Sequence, residues 1–313
     1  MFVTRQLPGS ALDRLVSEPG LDVEIWPGPG APPRAVMLER APTLDGLLCT
    51  LVDAIDAEWL GAAKHLRALS SYSVGLDHVD LAAAASRGLP VGHTPGVLVE
   101  TTADLAFALL LSAARRTAEA DRLIRSGGWG TWEPDLLLGR DVYGATLGIV
   151  GLGAIGQAVA RRAIGFGMRV LGWSRSGRSV SGIMSVSFEE LLGRSDYVSV
   201  NVALTEETRG LLDAKALARM KQDAILINTA RGGIVDEEAL ADALDAGRLG
   251  GAALDVFSEE PLPADHRLLS TPGVTVAPHI GSATVATRSR MAELAVDNLL
   301  AGLRAEPLLC RGG

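Results

Sequence analysis

Residues Thr146-Leu147-Gly148-Ile149-Val150-Gly151-Leu152-Gly153-Ala154-Ile155-Gly156-Gln157 run from a short apolar segment into a cluster of glycines. Residues 147–150 suit a strand buried on both faces of a parallel sheet, and Gly151, Gly153 and Gly156 have G-x-G-x-x-G spacing where that strand would become a helix. In such a turn the first glycine permits the tight bend and the second lets a pyrophosphate approach the backbone. The third lets the helix pack against the strand, and the helix opening at Ala154 and Ile155 faces the phosphates. The context agrees, because residues 154–166 read as a helix and Arg169–Trp173 as the next strand.

The end of that second strand bears on which dinucleotide is bound. An NAD-selective fold usually carries an acid there for the ribose 2′-hydroxyl, whereas this chain has Ser174 followed by Arg175 and then Arg178. A missing acid together with two guanidinium groups predicts recognition of a 2′-phosphate, and hence NADPH, with NADH as the second candidate. The competing reading puts Arg175 and Arg178 on a solvated turn.

The chain has 313 residues, 48% hydrophobic and 21% charged, which is ordinary for a two-domain globular enzyme. A net charge of -8 argues against a nucleic-acid or anionic-membrane surface, and no apolar run is long enough to span a bilayer. Cys49 and Cys310 make neither a disulfide framework nor a metal spacing, and His65, His78, His93 and His266 are scattered, so no metal site is expected. With no signal peptide ahead of the first strand-like residues, the expectation is a reducing cytoplasm.

Outward from the glycine motif the pattern is α/β throughout. Strands are predicted over residues 2–4, 21–25, 47–50, 66–70 and 91–93, then over 197–202, 224–229, 251–256 and 274–277. Residues 99–125 form one long helical pattern, followed by a loop with Trp129 and Trp132 whose exposed aromatics suggest a contact between two copies of the chain. Residues 73–77 follow a strand at the carboxyl end, where open α/β sheets bind ligands, and Gly75 could offer backbone N–H groups to an anion. Past later strands lie Arg231, Glu260 and His279, each with a bland reading when taken singly.

Together these motifs resemble the D-isomer-specific 2-hydroxyacid dehydrogenase family over nearly the whole chain. The matching stretches are Ser73-Val74-Gly75-Leu76-Asp77-His78, Gly127-Gly128-Trp129, the glycine motif, Asn228-Thr229-Ala230-Arg231-Gly232, Leu254-Asp255-Val256 through Glu260-Pro261-Leu262-Pro263, and Pro278-His279-Ile280-Gly281-Ser282-Ala283-Thr284.

The resemblance implies two doubly wound parallel-sheet domains. A Rossmann cofactor domain at 99–282, with a dimerisation helix and loop at about 99–140, would be inserted in a flavodoxin-like substrate domain made of 1–98 and 283–313. It implies a catalytic set of Arg231, Glu260 and His279, with Val74 and Gly75 giving N–H groups to the substrate carboxylate. Thr102, Ala203, Thr229, Asp255 and Gly281 would join the glycine motif, Ser174 and Arg175 around the cofactor. Trp132 would reach toward the active site of the other subunit in a homodimer.

The activity so implied is NADPH-dependent reduction of glyoxylate and hydroxypyruvate to glycolate and D-glycerate. Reduction of a bulkier 2-oxo acid, or a dinucleotide-sensing protein of the corepressor type, are the alternatives.

Overall fold

A computed structural model describes residues 1–312. Two compact units partition the chain, the first made of Met1–Leu98 with Ser282–Gly313 and the second of Val99–Gly281.

The first unit is built on a five-stranded sheet of Phe2–Val3 (β1), Glu24–Ile25 (β2), Gly46–Cys49 (β3), Ala68–Ser71 (β4) and Val91–Gly92 (β5). Its order is β2-β1-β3-β4-β5, all parallel, which is the flavodoxin-like winding with its switch point between β1 and β3. Apart from the exposed edge strand β2, the strands are short and buried on both faces, and they are mainly apolar, with Ser70 and Ser71 closing β4. Phe2, Leu47, Leu69 and Trp59 fill one side, while Leu48, Leu12, Leu15 and the helix Val285–Leu303, through Ala292, Ala295 and Leu299, fill the other. That last helix carries a fully buried Asn298, whose amide donates to the His93 carbonyl and whose oxygen accepts the Cys310 N–H. A polar residue on an apolar face is thereby satisfied.

The second unit holds seven parallel strands, Thr146–Val150 (β6), Arg169–Trp173 (β7), Met184–Ser185 (β8), Tyr197–Val200 (β9), Ile225–Asn228 (β10), Gly251–Leu254 (β11) and Val274–Val276 (β12). The order β12-β11-β10-β9-β6-β7-β8 reverses direction between β6 and β9, the doubly wound Rossmann arrangement that opens a crevice at their carboxyl ends. The fold is thus α/β with two doubly wound parallel sheets. Residues 99–115 bury Ala103, Ala106, Phe107 and Leu110 against this sheet. Aspartates at 56, 80, 213 and 236 cap four helices by accepting the N–H three residues on, each contributing about 1 kcal/mol.

Three local expectations change. The single helix over 99–125 is two, Val99–Arg115 and Thr117–Arg125, because Arg116 sits in the left-handed region (φ 54°) and breaks the hydrogen-bond ladder. The predicted strand at 21–25 narrows to Glu24–Ile25, which pair with Phe2–Val3, while the Asp22 carbonyl accepts the Met1 amino group at 2.7 Å and the Leu21 N–H turns back to the Glu18 carbonyl at 3.3 Å. Met184–Ser185 adds an edge strand too short and too exposed to show a pattern. No helix among the described residues is long and apolar enough to cross a membrane.

Candidate active site

Strands β10, β11 and β12 lie side by side, and the loop leaving the carboxyl end of each carries one of Arg231, Glu260 and His279. Parallel winding therefore gathers three residues that are far apart in sequence. Asn228, the last residue of β10, fixes the first turn: its Nδ2 donates to the Arg231 carbonyl at 2.8 Å and its Oδ1 accepts the Ala230 N–H at 3.0 Å. At Gly232 a Cβ would overlap the Phe257 carbonyl carbon, so only glycine lets the Arg231 loop press against the loop that carries Glu260.

Glu260 is gripped at both oxygens. Oε1 accepts the Phe257 N–H at 2.9 Å, and Oε2 lies 2.6 Å from Nδ1 of His279. Burial alone would raise this carboxyl, but the bond to His279, the Phe257 N–H and the charges of His279 and Arg231 outweigh it and hold Glu260 below the usual carboxylate range. Beside it, the Ser258 N–H donates to Glu237 at 2.6 Å and steadies the same loop.

His279 itself has φ 53°, a left-handed conformation that costs a non-glycine residue roughly 1–2 kcal/mol. Asp255 offsets that cost. Its carbonyl accepts the His279 N–H, and its two carboxylate oxygens accept the N–H groups of Ile280 and Gly281, all at 2.8 Å. Asp255 is fully buried, and burial raises its pKa in spite of those bonds. A Cβ on Gly281 would lie 3.4 Å from both Asp255 Oδ2 and Thr102 Oγ1, so Thr102, Asp255 and Gly281 form one cluster behind His279.

The glycine turn fits a dinucleotide on its own geometry. Gly151 takes φ 102°, a Cβ on Gly156 would overlap the Gly151 carbonyl oxygen, and nothing stands within 4 Å of the Cβ position at Gly153. No side chain caps the helix Ala154–Gly165, so the N–H groups opened by Ala154 and Ile155 keep their anion-binding capacity. Among the described residues the Thr229 hydroxyl and the Asn201 side-chain oxygen, past β10 and β9, are buried and meet no partner, as groups that take a polar ligand would be. The Ala203 carbonyl, in contrast, is taken by the Thr208 hydroxyl at 2.6 Å.

At the end of β7 the Ser174 hydroxyl accepts the Arg178 N–H at 2.8 Å, which curls the turn. Arg175 pairs with Glu207 at 3.2 Å, both side chains 67% exposed, and Arg178 reaches the Leu152 carbonyl of the glycine turn at 3.4 Å. No acid stands directly after β7, and the carboxylate that reaches Arg175 is Glu207, from the segment after β9, a pairing that sequence order hid. Asn228 and Glu237 were likewise missed; the Asn-Thr-Ala-Arg turn was the one available signal for Asn228.

Val74 and Gly75 lie in the first unit, just past β4. Trp132 is 75% exposed in a stretch without regular structure. Among the described residues no group of three or more His, Cys, Asp or Glu could hold a metal ion.

Residues 107–281 match the model of the D-isomer specific 2-hydroxyacid dehydrogenase, NAD binding domain. The chain belongs to the D-isomer-specific 2-hydroxyacid dehydrogenase family. A glyoxylate reductase of Korarchaeum cryptofilum is 49% identical over 98% of this chain and 93% of that protein. The crystal structure of TT0316 protein from Thermus thermophilus superposes with a TM-score of 0.94 at 51% identity, covering 100% of this chain and 99% of the other.

An NADPH-dependent glyoxylate/hydroxypyruvate reductase of Sinorhizobium meliloti, in complex with NADP and malonate, gives a TM-score of 0.87 at 31% identity, over 100% and 96% of the two chains. As a D-2-hydroxyacid dehydrogenase the protein is an NAD(P)-dependent oxidoreductase that reduces small 2-oxo acids.

Proposed function

We propose that the chain reduces glyoxylate and hydroxypyruvate with NADPH, giving glycolate and D-glycerate. The observation that carries the reading is the 2.6 Å contact between His279 Nδ1 and Glu260 Oε2, on a loop edge shared with Arg231. A bound nicotinamide supplies the hydride that reaches C2 of the 2-oxo acid. Arg231 presents a planar fork to the substrate carboxylate and keto oxygen, with charge-assisted bonds of about 1.5 to 3 kcal/mol each. As charge grows on that oxygen, His279 donates a proton. With Nδ1 held by Glu260, Nε2 is the nitrogen left to do so.

In the first unit, Val74 and Gly75 offer N–H groups to the carboxylate. We assign substrate binding to that unit and dinucleotide binding to the second, where the glycine turn, Thr102, Ala203, Thr229, Asp255 and Gly281 surround the cofactor. The absence of an acid directly after β7, with Ser174, Arg175 and Arg178 in its place, supports NADPH over NADH. The reductase of Sinorhizobium meliloti, named for NADPH, glyoxylate and hydroxypyruvate, lends the same support.

Exposed Trp129, Trp132 and Leu138 support a homodimer, with Trp132 of one copy approaching the active site of the other. The deciding experiment follows nicotinamide absorbance with glyoxylate, hydroxypyruvate or phenylpyruvate and either cofactor. Fast NADPH oxidation by the two small acids is expected. A preference for phenylpyruvate would replace the substrate reading with a bulkier 2-oxo acid, and a preference for NADH would remove the phosphate reading of Arg175.

A further inference from the structure

In the first unit, three successive carbonyls past β4 are each taken by a protein donor. The Ser73 carbonyl accepts the Thr94 N–H at 2.8 Å, the Val74 carbonyl lies 2.9 Å from His93 Nδ1, and the Gly75 carbonyl accepts the Ser73 hydroxyl at 2.7 Å. Among the described residues the N–H groups of Val74 and Gly75 meet no acceptor. A trans peptide is planar, with its N–H opposed to its C=O. Holding the Ser73 carbonyl therefore aims the Val74 N–H, and holding the Val74 carbonyl aims the Gly75 N–H.

The direction of these bonds is fixed by what each atom can do. A carbonyl oxygen only accepts, so His93 carries its hydrogen on Nδ1. By the same logic Ser73 spends its one hydroxyl hydrogen on Gly75. Ser71 Oγ, 2.7 Å away, must then donate to Ser73, and His78 Nε2, 2.9 Å from Ser71, must donate in turn. A chain from His78 through Ser71 and Ser73 ends on the Gly75 carbonyl. His93 is itself held, since its carbonyl accepts from Asn298 and its N–H donates to the Cys310 carbonyl at 3.2 Å.

We propose that His93 is a positioning residue for substrate: it ties back the Val74 carbonyl so that the Gly75 N–H stays aimed at a carboxylate. Ser73, backed by Ser71 and His78, holds the Gly75 carbonyl and so fixes the Gly75 backbone from its other side. The inference rests on the reading of Val74 and Gly75 as the carboxylate site. Without these ties a peptide rotation would replace an N–H by a carbonyl oxygen, which repels an anion. The effect is therefore on the affinity for anionic substrate, not on hydride or proton transfer.

The test uses the full chain with three substitutions. His93→Leu keeps bulk but removes the donor, His93→Asn restores an amide N–H at the same branch position, and Ser73→Ala breaks the second hold. For the 2-oxo acid turned over best, KM should rise about tenfold in His93→Leu and Ser73→Ala, the loss of one or two neutral hydrogen bonds. The kcat and the dinucleotide Kd should change little, and His93→Asn should recover most of the KM.

An unchanged KM in both His93→Leu and Ser73→Ala overturns the proposal, as does a loss of kcat and dinucleotide affinity in step with KM. Hydrogen exchange of peptide 73–77 in the wild-type protein, with and without oxamate, separates the underlying reading. Absence of protection removes Val74 and Gly75 as the carboxylate site and the proposal with it. Protection together with unchanged KM in the variants removes the positioning proposal alone.

Discussion

His279 Nδ1 lies 2.6 Å from Glu260 Oε2 although the two residues leave different strands of the sheet. The carboxylate holds one imidazole nitrogen and leaves the other for proton transfer. His279→Ala should lower kcat by about a hundredfold or more, the usual loss of a general acid, while dinucleotide affinity stays near wild type. Stopped-flow single turnovers with titration of cofactor fluorescence would measure both, and a near-normal turnover rate would remove His279 from proton donation.

The same contact makes stability depend on pH. Glu260 is held below the ordinary carboxylate range, so its contribution is complete above the unfolded value of about 4.3 and disappears as pH falls through its lower folded value. Thermal melts of wild type and Glu260→Gln should differ most above about pH 5 and converge toward acid. A gap that widened on acidification would contradict this sign.

Arg175 shares its charge with Glu207 on the exposed rim past β7. Arg175→Ala should weaken NADPH much more than NADH, and Glu207→Gln should favour NADPH by freeing the guanidinium and removing a nearby negative charge. Dissociation constants for both cofactors decide it. Equal losses for the two in Arg175→Ala would refute recognition of the 2′-phosphate.

Gly156 has no room for a methyl group, because the Gly151 carbonyl occupies the position. Gly156→Ala should cost roughly 1–3 kcal/mol in stability through forced backbone movement, with dinucleotide binding lost in parallel. Chemical denaturation and cofactor titration together check this, and a silent substitution would mean that the turn relaxes more freely than its packing suggests.

For the homodimer proposed above, a paired Trp132→Glu and Leu138→Glu variant should shift sedimentation toward monomer, since both side chains are exposed apolar surface in a stretch without regular structure. An unchanged sedimentation coefficient would remove this stretch as the proposed dimer contact.

Sequence alone determined the alternation of apolar strands and helices, the glycine turn after β6 and the three residue types past β10, β11 and β12. Those are local facts, because strand burial, tight turns and motif spacing are written in neighbouring residues. The break at Arg116 was not legible, since the helical pattern continues through it and only the backbone conformation interrupts it. Nor was Glu207, whose approach to Arg175 depends on β9 lying two strands from β7 in the sheet.

The tertiary structure also decided what holds the loops. Asp255 accepts three N–H groups that force His279 into a left-handed turn, and His93 ties down a carbonyl from beyond the end of β5. Such contacts join residues remote in sequence through directional bonds. They exist only once parallel winding has brought the strand ends together.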